Sequence, residues 1–374
     1  MTGSNLAKAV IAAVWVLVMA TVLAVGLEFF LKMRWNKRRE VKQIGKERYD
    51  ELARAYHPFA VQHINPNYLF FFPFESEDRI ALSNEHVTLD GAGFRGPGPE
   101  FVDDLELAFL IGGSTAFSYA SSDSTTITGY LNRMQDRYFF VNAGVPSWNS
   151  TQELFRLAYQ LLEYDPALVV AFDGANEMAI MVQYHEQGLS FPPGTPESFA
   201  RLQALVGDIR AESGTAQDRG LVGRMFPRLV AAVRSKLTPE QPAGPIPRAS
   251  IVEAARKYVF NLNLMGTLVR SRGGRFVSIF QPIIWLHENG PGREAQYKYR
   301  EEYRFFHGTV FSDTTIAFER HDFADLFDAR FDRIPYFDPA ADSDLTDTTV
   351  FLDPVHFFDA GNKMVAEEII ARLW

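Results

Sequence analysis

Two widely separated segments of the sequence carry residue types that together could form an activated nucleophile. An apolar run ends in two glycines, and Ser114 follows them at the point where the chain must turn. Asp353 and His356 stand three residues apart near the carboxyl terminus. A serine becomes a nucleophile when a base accepts its proton, and a histidine needs a partner that fixes its tautomer. The sequence therefore predicts that His356 acts as the base for Ser114 and that Asp353 orients it.

Two further residues could stabilise an oxyanion beside that serine. Gly144 ends a second strand-like run, and Asn176 follows the end of a third one. In a parallel sheet such strand ends lie on one edge, where open α/β folds bind their ligands. The backbone N–H of Gly144 and the side-chain amide of Asn176 are donors of the kind that stabilise negative charge on oxygen. Taken alone, Ser114 would more often be a turn serine that caps a helix, and Asn176 an ordinary turn residue.

The elements that must position these residues follow from the hydrophobic pattern. Short, continuous apolar runs alternate with amphipathic segments, which predicts a parallel sheet covered by helices on both faces. The predicted strands are 107–111, 139–144, 168–172 and 275–281, and the predicted helices are 125–135, 151–164 and 360–373, the last with Asp359 as its N-cap. The fold class is thus α/β, a three-layer α/β/α sandwich. A stretch rich in proline and glycine, 185–250, breaks the rhythm and predicts an insertion.

In this order, Ser114, Gly144, Asn176 and the Asp353–His356 pair resemble the sequence blocks of the SGNH, or GDSL-type, serine hydrolases. Those blocks are a serine in a Gly-Asp-Ser-like motif, a lone glycine, a Gly-x-Asn-Asp-like motif and a late Asp-x-x-His. The resemblance covers roughly residues 105–374 and implies a flavodoxin-like fold with a mostly parallel central sheet. It also implies that the Ser114 N–H joins Gly144 and Asn176 in an oxyanion hole.

The sequence departs from the family pattern at three positions, which flank two of these blocks. Gly113 replaces the Asp before the serine, Thr115 the Leu after it, and Glu177 the Asp after the asparagine. Asn84 and the Gly-Phe-Arg-Gly run at 93–96 resemble a segment that precedes the serine in membrane-anchored members. The resemblance implies an ester hydrolase that removes an O-acyl group, O-acetyl included, from a glycan or lipid. Two alternatives stay open: an O-acyltransferase using the same serine, and a non-catalytic glycan- or lipid-binding module.

Composition excludes several other classes of function. The chain has 374 residues and a net charge of −9, so a nucleic-acid partner is not expected. It contains no cysteine, which removes disulfides, thiolate nucleophiles and cysteine-ligated zinc. We expect no cofactor and no metal. An α/β-hydrolase elbow requires glycine two residues after the serine, and that position is Ala116. The glycine pattern at 91–96 lacks the preceding strand and following helix that dinucleotide binding requires.

The amino-terminal segment predicts a single membrane anchor. No charged residue occurs from Ala9 to Leu27, a run long enough to cross the hydrocarbon core of a bilayer. We therefore expect an anchor over 1–31, a juxtamembrane helix and an irregular N-terminal extension over 32–104, and the hydrolase-like domain over 105–374. The basic cluster over 32–39 favours a cytoplasmic domain by the positive-inside rule. The missing cysteines and the resemblance to anchored members favour the extracytoplasmic, periplasmic side, which we predict.

Overall fold

The computed structural model describes residues 82–83, 87–90, 92–102, 104–146, 148–186, 244–288, 299–336 and 349–374. The chain divides into two compact units, and the smaller, formed by residues 1–46 and 203–242, lies wholly outside the described residues. The predicted anchor, Asn84 and most of the predicted insertion lie outside them too. None of the helices within the described ranges has the length and apolar character needed to cross a membrane.

A five-stranded, wholly parallel sheet forms the centre of the larger unit. A small antiparallel pair, β1 (Leu82–Ser83) and β2 (Thr88–Leu89), precedes it in the chain. The strands of the sheet are β3 (Glu106–Gly112), β4 (Tyr138–Asn142), β5 (Leu168–Asp173), β6 (Arg275–Phe280) and β7 (Glu319–Asp322). They stand in the order β4-β3-β5-β6-β7. The predicted α/β fold class is therefore confirmed, and each of the four predicted strands matches an observed one to within two residues at either end.

Helices cover both faces of this sheet. They are α1 (Ile127–Met134), α2 (Ser150–Tyr159), α3 (Ala175–Glu186), α4 (Arg248–Ser271), α5 (Arg300–Ser312) and α6 (Asp359–Leu373). Alternate residues of β3 enter two separate hydrophobic cores. Phe109 and Ile111 pack with α2, α4 and α5, while Ala108 and Leu110 pack with α1 and α6. A strand buried on both faces needs apolar residues at every position, which explains the continuous runs in the sequence.

Two predicted helix boundaries were wrong, each for a local reason. The helix predicted over 151–164 ends at Tyr159 and continues as a separate 3₁₀ turn, Leu161–Tyr164. Asp165 then adopts a left-handed conformation with φ of 46°, which ends the helical path and which aspartate adopts more readily than most non-glycine residues. Asp359 is the first residue of α6 rather than its N-cap, which is Phe358. There its carboxylate still suits the positive end of the helix dipole.

Three strands were not predicted from the sequence, β1, β2 and β7, and the absence of a signal for β7 has a simple explanation. Its residues, Glu-Arg-His-Asp, offer no apolar pattern, and it pairs with β6 alone at one edge of the sheet. Charged side chains on an edge strand discourage pairing with other chains. α3, α4 and α5 were also not predicted. α4 begins at Arg248, so the predicted end of the insertion, 250, lies two residues after the start of this long helix.

Candidate active site

Ser114 lies in a tight turn at the carboxyl end of β3, and two glycines make that turn sterically possible. Gly112 has φ of +147°, and a Cβ there would lie 2.2 Å from the carbonyl oxygen of Phe172. A Cβ on Gly113 would lie 2.3 Å from the Nδ2 atom of Asn176. A side chain at Gly112 would clash with the end of β5, and one at Gly113 would displace the side chain of Asn176. Gly113, which stands where the family pattern has Asp, thus lets Asn176 approach the serine turn.

The structure brings Ser114, His356 and Asp353 into one continuous hydrogen-bonded row. The Ser114 Oγ atom is 2.7 Å from Nε2 of His356, and Nδ1 of the same ring is 2.6 Å from Oδ2 of Asp353. The other carboxylate oxygen, Oδ1, accepts the backbone N–H groups of Val355 and His356 at 3.0 and 2.9 Å. Both aspartate oxygens therefore hold the histidine loop, and the ring has one nitrogen directed at each partner.

The electrostatic environment of this row couples the histidine to the aspartate. Burial alone would lower the pKa of His356, but the charge and hydrogen bond of Asp353 outweigh it, so the pKa lies above the ordinary 6.5. Burial would likewise raise the pKa of Asp353, yet His356 and the two backbone N–H groups lower it below its ordinary value. Asp353 is thus held as a carboxylate that stabilises a protonated imidazole.

The three predicted oxyanion donors are placed differently from one another. Asn176 lies in the first turn of α3, and its Nδ2 donates to the carbonyl of Trp148 at 2.6 Å. The Gly144 N–H donates to Oδ1 of the buried Asn142 at 3.0 Å. Across the described ranges the Ser114 N–H has no intramolecular acceptor. Gly144 lies beside the serine turn, where a Cβ would be 2.5 Å from the backbone nitrogen of Phe117, but its N–H satisfies a buried side-chain oxygen, as buried polar groups require.

Arg95 holds the turn that follows Ser114, and the sequence analysis named it only as part of the run 93–96. Its buried guanidinium donates through Nη1 to the carbonyls of Phe117 and Ser118 at 2.6 and 2.9 Å, and through Nη2 to that of Ser121. Its Nε donates to Oδ1 of Asp123 at 3.0 Å. Ser118 has φ of 59°, which a non-glycine residue adopts at an energetic cost. Arg95 thus holds a strained turn directly after Ser114; its only sequence signal was the family-like run 93–96.

A cluster of buried carboxyl groups lies directly beyond Asn176. Burial, followed by the charge of Asp173, raises the pKa of Glu177 to about 7, although Ser150 N–H donates to its Oε1 at 2.7 Å. Burial also raises the pKa of Asp173 and of Glu153, and the Tyr258 hydroxyl donates to Asp173. Glu177 therefore anchors the first residue of α2 while sitting next to Asn176 in the sequence.

One other group of side chains has the composition of a cation site. His287, Asp325 and Asp328 place one possible ligand atom each within 4.8 Å of the others. Nδ1 of His287 already lies 2.8 Å from Oδ1 of Asp328, a distance that a simple hydrogen bond explains. These residues follow β6 and β7, and none of them enters the Ser114 row. His185, the histidine nearest Asn176 in sequence, lies at the end of α3 with Nε2 2.7 Å from the Gly244 carbonyl.

Comparison with known proteins adds structural neighbours but no close relative. No family model and no curated protein matches the sequence. An acetyl xylan esterase structure is 14% identical with a TM-score of 0.38, covering 72% of this chain and 100% of its own. A lipolytic protein of the G-D-S-L family from Veillonella parvula is 10% identical with a TM-score of 0.38, covering 72% and 98%. A lipase/acylhydrolase from Enterococcus faecalis is 17% identical with a TM-score of 0.36, covering 72% and 98%. Similarity at this level carries no argument about chemistry, which rests on the geometry above.

Proposed function

We propose that this chain is a serine ester hydrolase of the SGNH type. The observation that carries the proposal is the row Asp353–His356–Ser114, with contacts of 2.6 and 2.7 Å at the carboxyl edge of a parallel sheet. Nucleophile, base and orienting carboxylate are all within hydrogen-bond reach before any substrate binds, which is the arrangement that serine acyl transfer requires. The family-like order of the sequence blocks supports the same reaction independently.

In the proposed mechanism Ser114 Oγ attacks the ester carbonyl and its proton passes to Nε2 of His356. Collapse of the tetrahedral intermediate breaks the carbon–oxygen bond of the ester, and the same proton passes to the leaving alkoxide. Water then attacks the acyl-serine, giving a proton to His356 and releasing the acid when Ser114 recovers that proton. Asp353 stabilises the imidazolium that forms in each step, consistent with its lowered pKa.

We assign the main oxyanion contacts to the Ser114 N–H and the Asn176 amide. The Asn176 amide has a second N–H beyond the one given to Trp148. The Gly144 N–H is directed at Asn142, so it would have to be shared to serve the oxyanion. Removing one such donor typically lowers kcat by about a hundred- to a thousandfold. Asn176→Ala is expected to fall in that range, and an unchanged kcat would remove Asn176 from the site.

Covalent labelling with a fluorophosphonate probe tests the reaction class. The full-length chain, purified in mild detergent, is compared with Ser114→Ala and with Ser122→Ala, a serine eight positions further along the same turn region. We expect labelling of the wild type and of Ser122→Ala, and none of Ser114→Ala. A folded wild type that takes up no probe would contradict the hydrolase proposal and favour the binding-module alternative.

The substrate class and the membrane anchor are the finer parts of this proposal. From the family resemblance we infer an O-acyl, including O-acetyl, ester on a glycan or lipid, with the domain anchored by residues 1–31 on the periplasmic side. A product assay with an added sugar or alcohol acceptor separates hydrolysis from acyl transfer to that acceptor. Protease added to cells with only the outer envelope opened should cleave the domain; protection until full lysis would place it in the cytoplasm.

A further inference from the structure

The side chain of Thr115 connects the serine turn to the histidine loop. Its hydroxyl donates to the carbonyl oxygen of Val355 at 3.0 Å, and it accepts a hydrogen bond from Nε2 of Gln281 at 3.0 Å. Val355 immediately precedes His356, and Thr115 immediately follows Ser114. Thr115 and Gln281 are each only 3% exposed, so water does not compete for these bonds. One hydroxyl thus joins both reacting loops.

These bonds matter because Ser114 and His356 come together from distant parts of the chain. The two residues are 242 positions apart in the chain, yet Oγ and Nε2 are 2.7 Å apart. Gln281 directly follows β6, and its backbone N–H donates to the Asp173 carbonyl at the end of β5. A second bond, from the Ile284 N–H to the Pro354 carbonyl at 2.9 Å, ties the same post-β6 segment to the histidine loop. The segment after β6 therefore bonds to both loops, which also contact each other directly.

This connection depends on a residue that departs from the family-like pattern. Thr115 stands where the family-like pattern has a leucine, whose side chain could make neither hydrogen bond. A threonine hydroxyl has a single proton, which is committed to Val355, and the Gln281 amide is directed at its oxygen. Both bonds together fix the direction of the side chain and, with it, the separation of the two loops.

We propose that Thr115 and Gln281 are positioning residues that hold His356 at attacking geometry relative to Ser114. The inference rests on the proposed function, since it assigns these residues to the same reaction. Displacement of a reacting group by about 1 Å can cost roughly a hundredfold in rate. We call the bonds Gln281–Thr115 and Thr115–Val355 the tether. Its loss should therefore lower the rate of the chemical step while leaving substrate binding nearly unchanged.

The test compares Thr115→Val, which keeps the shape of the side chain, with Thr115→Ser, which keeps the hydroxyl. The readouts are the fluorophosphonate labelling rate and the kcat and KM for p-nitrophenyl acetate, both measured on the full-length chain. We expect Thr115→Val to lose about 10- to 100-fold in kcat and labelling rate, with KM changed by no more than about twofold. Thr115→Ser should recover most of that loss.

Gln281→Met supplies a second variant that removes the donor but keeps the length of the side chain. We expect a smaller fall in kcat, and a double variant no slower than Thr115→Val alone, because both changes break one connection. Thr126→Val is the matched control: Thr126 is also buried, donates to the Asp123 carbonyl at 2.8 Å and caps α1. It should lower Tm without changing kcat of the folded protein.

The outcomes separate this inference from the proposed function. A wild type that neither labels nor hydrolyses the ester would contradict the hydrolase proposal itself. If the wild type labels at Ser114 and Thr115→Val labels as fast as Thr115→Ser, the tether is overturned and the hydrolase stands. An additive loss in the double variant would likewise show that Thr115 and Gln281 do not act as one unit.

Discussion

Among the histidine–aspartate pairs of the described residues, His356–Asp353 and His287–Asp328 both use the Nδ1 atom of the ring, and they differ in what the second ring nitrogen faces. His356 has Nδ1 2.6 Å from Asp353, and His287 has Nδ1 2.8 Å from Asp328. Nε2 of His356 then meets the hydroxyl of Ser114 at 2.7 Å. Nε2 of His287 is buried and has no hydrogen-bond partner among the described residues.

The pKa values of the two rings move in opposite directions because burial and the neighbouring carboxylate oppose each other, and a different one of them prevails at each ring. Burial lowers the pKa of both, but only beside Asp353 do charge and hydrogen bonding reverse the result. His287 packs against the aromatic rings of Phe327 and Phe351 and is fully enclosed. A histidine–carboxylate pair is thus not a catalytic site by itself. The two pairs differ in two respects: Nε2 of His356 contacts the Ser114 hydroxyl, and the pKa of His356 is raised whereas that of His287 is lowered.

Replacing each of the two histidines in turn should give the largest difference in activity. His356→Asn removes the base, so we expect kcat/KM to fall by roughly 10⁴-fold or more. His287→Asn leaves the Ser114 row untouched and should keep kcat/KM within about threefold of wild type, at the expense of a lower Tm. Steady-state ester hydrolysis and thermal melts of both variants check this, and equal losses of activity would break the comparison.

The aspartates should differ by a smaller factor. Asp353→Asn keeps the size of the side chain but loses the charge that orients His356, so we expect a loss on the order of 10³- to 10⁴-fold in kcat. Asp328→Asn is the matched change in the other pair and should leave kcat close to wild type. The kinetic assay is the same. A strong loss in Asp328→Asn would mean that the second pair contributes to the reaction.

The pH profile tests the raised pKa of His356 directly. General-base catalysis needs the neutral ring, so kcat/KM should rise with pH through a pKa above 6.5. In Asp353→Asn the residual activity should show this limb at lower pH, because the charge and hydrogen bond that raise the pKa are gone. The same limb should be unmoved in His287→Asn. A wild-type limb below the ordinary histidine value would contradict the assigned coupling.

The smallest expected effect is on stability, where the two histidines should have opposite pH dependences. The pKa of His356 is raised by folding. Its contribution to the free energy of unfolding is therefore present below the pKa of the unfolded chain and is lost as pH rises through the pKa of the folded protein. The pKa of His287 is lowered, so its contribution is present above the unfolded pKa and is lost as pH falls. Urea unfolding of wild type and both variants from about pH 5 to 8 measures the two slopes, and slopes of equal sign would refute this.

Much of the fold was predictable because the strands are buried on both faces. The run 168–172 is apolar at every position, and it forms the central strand between β3 and β6. Where burial is one-sided the signal weakened: the charged edge strand Glu319–Asp322 gave none. The break after Tyr159 also escaped the periodic pattern, since Leu161 and Leu162 keep helical spacing while the backbone already turns toward β5.

The candidate site divides along the same line. Asp353 and His356 are three residues apart, so their contact depends on one short loop and could be read from spacing. Ser114 could be placed at a strand end because two glycines follow an apolar run. The supporting residues could not: Arg95 reaches carbonyl groups more than twenty positions away, and Gln281 meets Thr115 over 166 positions. The Asn142 side chain that takes the Gly144 N–H gave no signal either.

The sequence by itself determined the α/β class, the edge of the sheet where the candidate site lies, and the residue types present there. These follow from hydrophobic burial and from short-range geometry, both of which are written in local order. Only the tertiary structure decided which distant side chains support the serine turn, which loops are tied together and which way each pKa moves. Those properties depend on burial and on partners brought close by the packing of distant elements, and a one-dimensional pattern does not specify such distances.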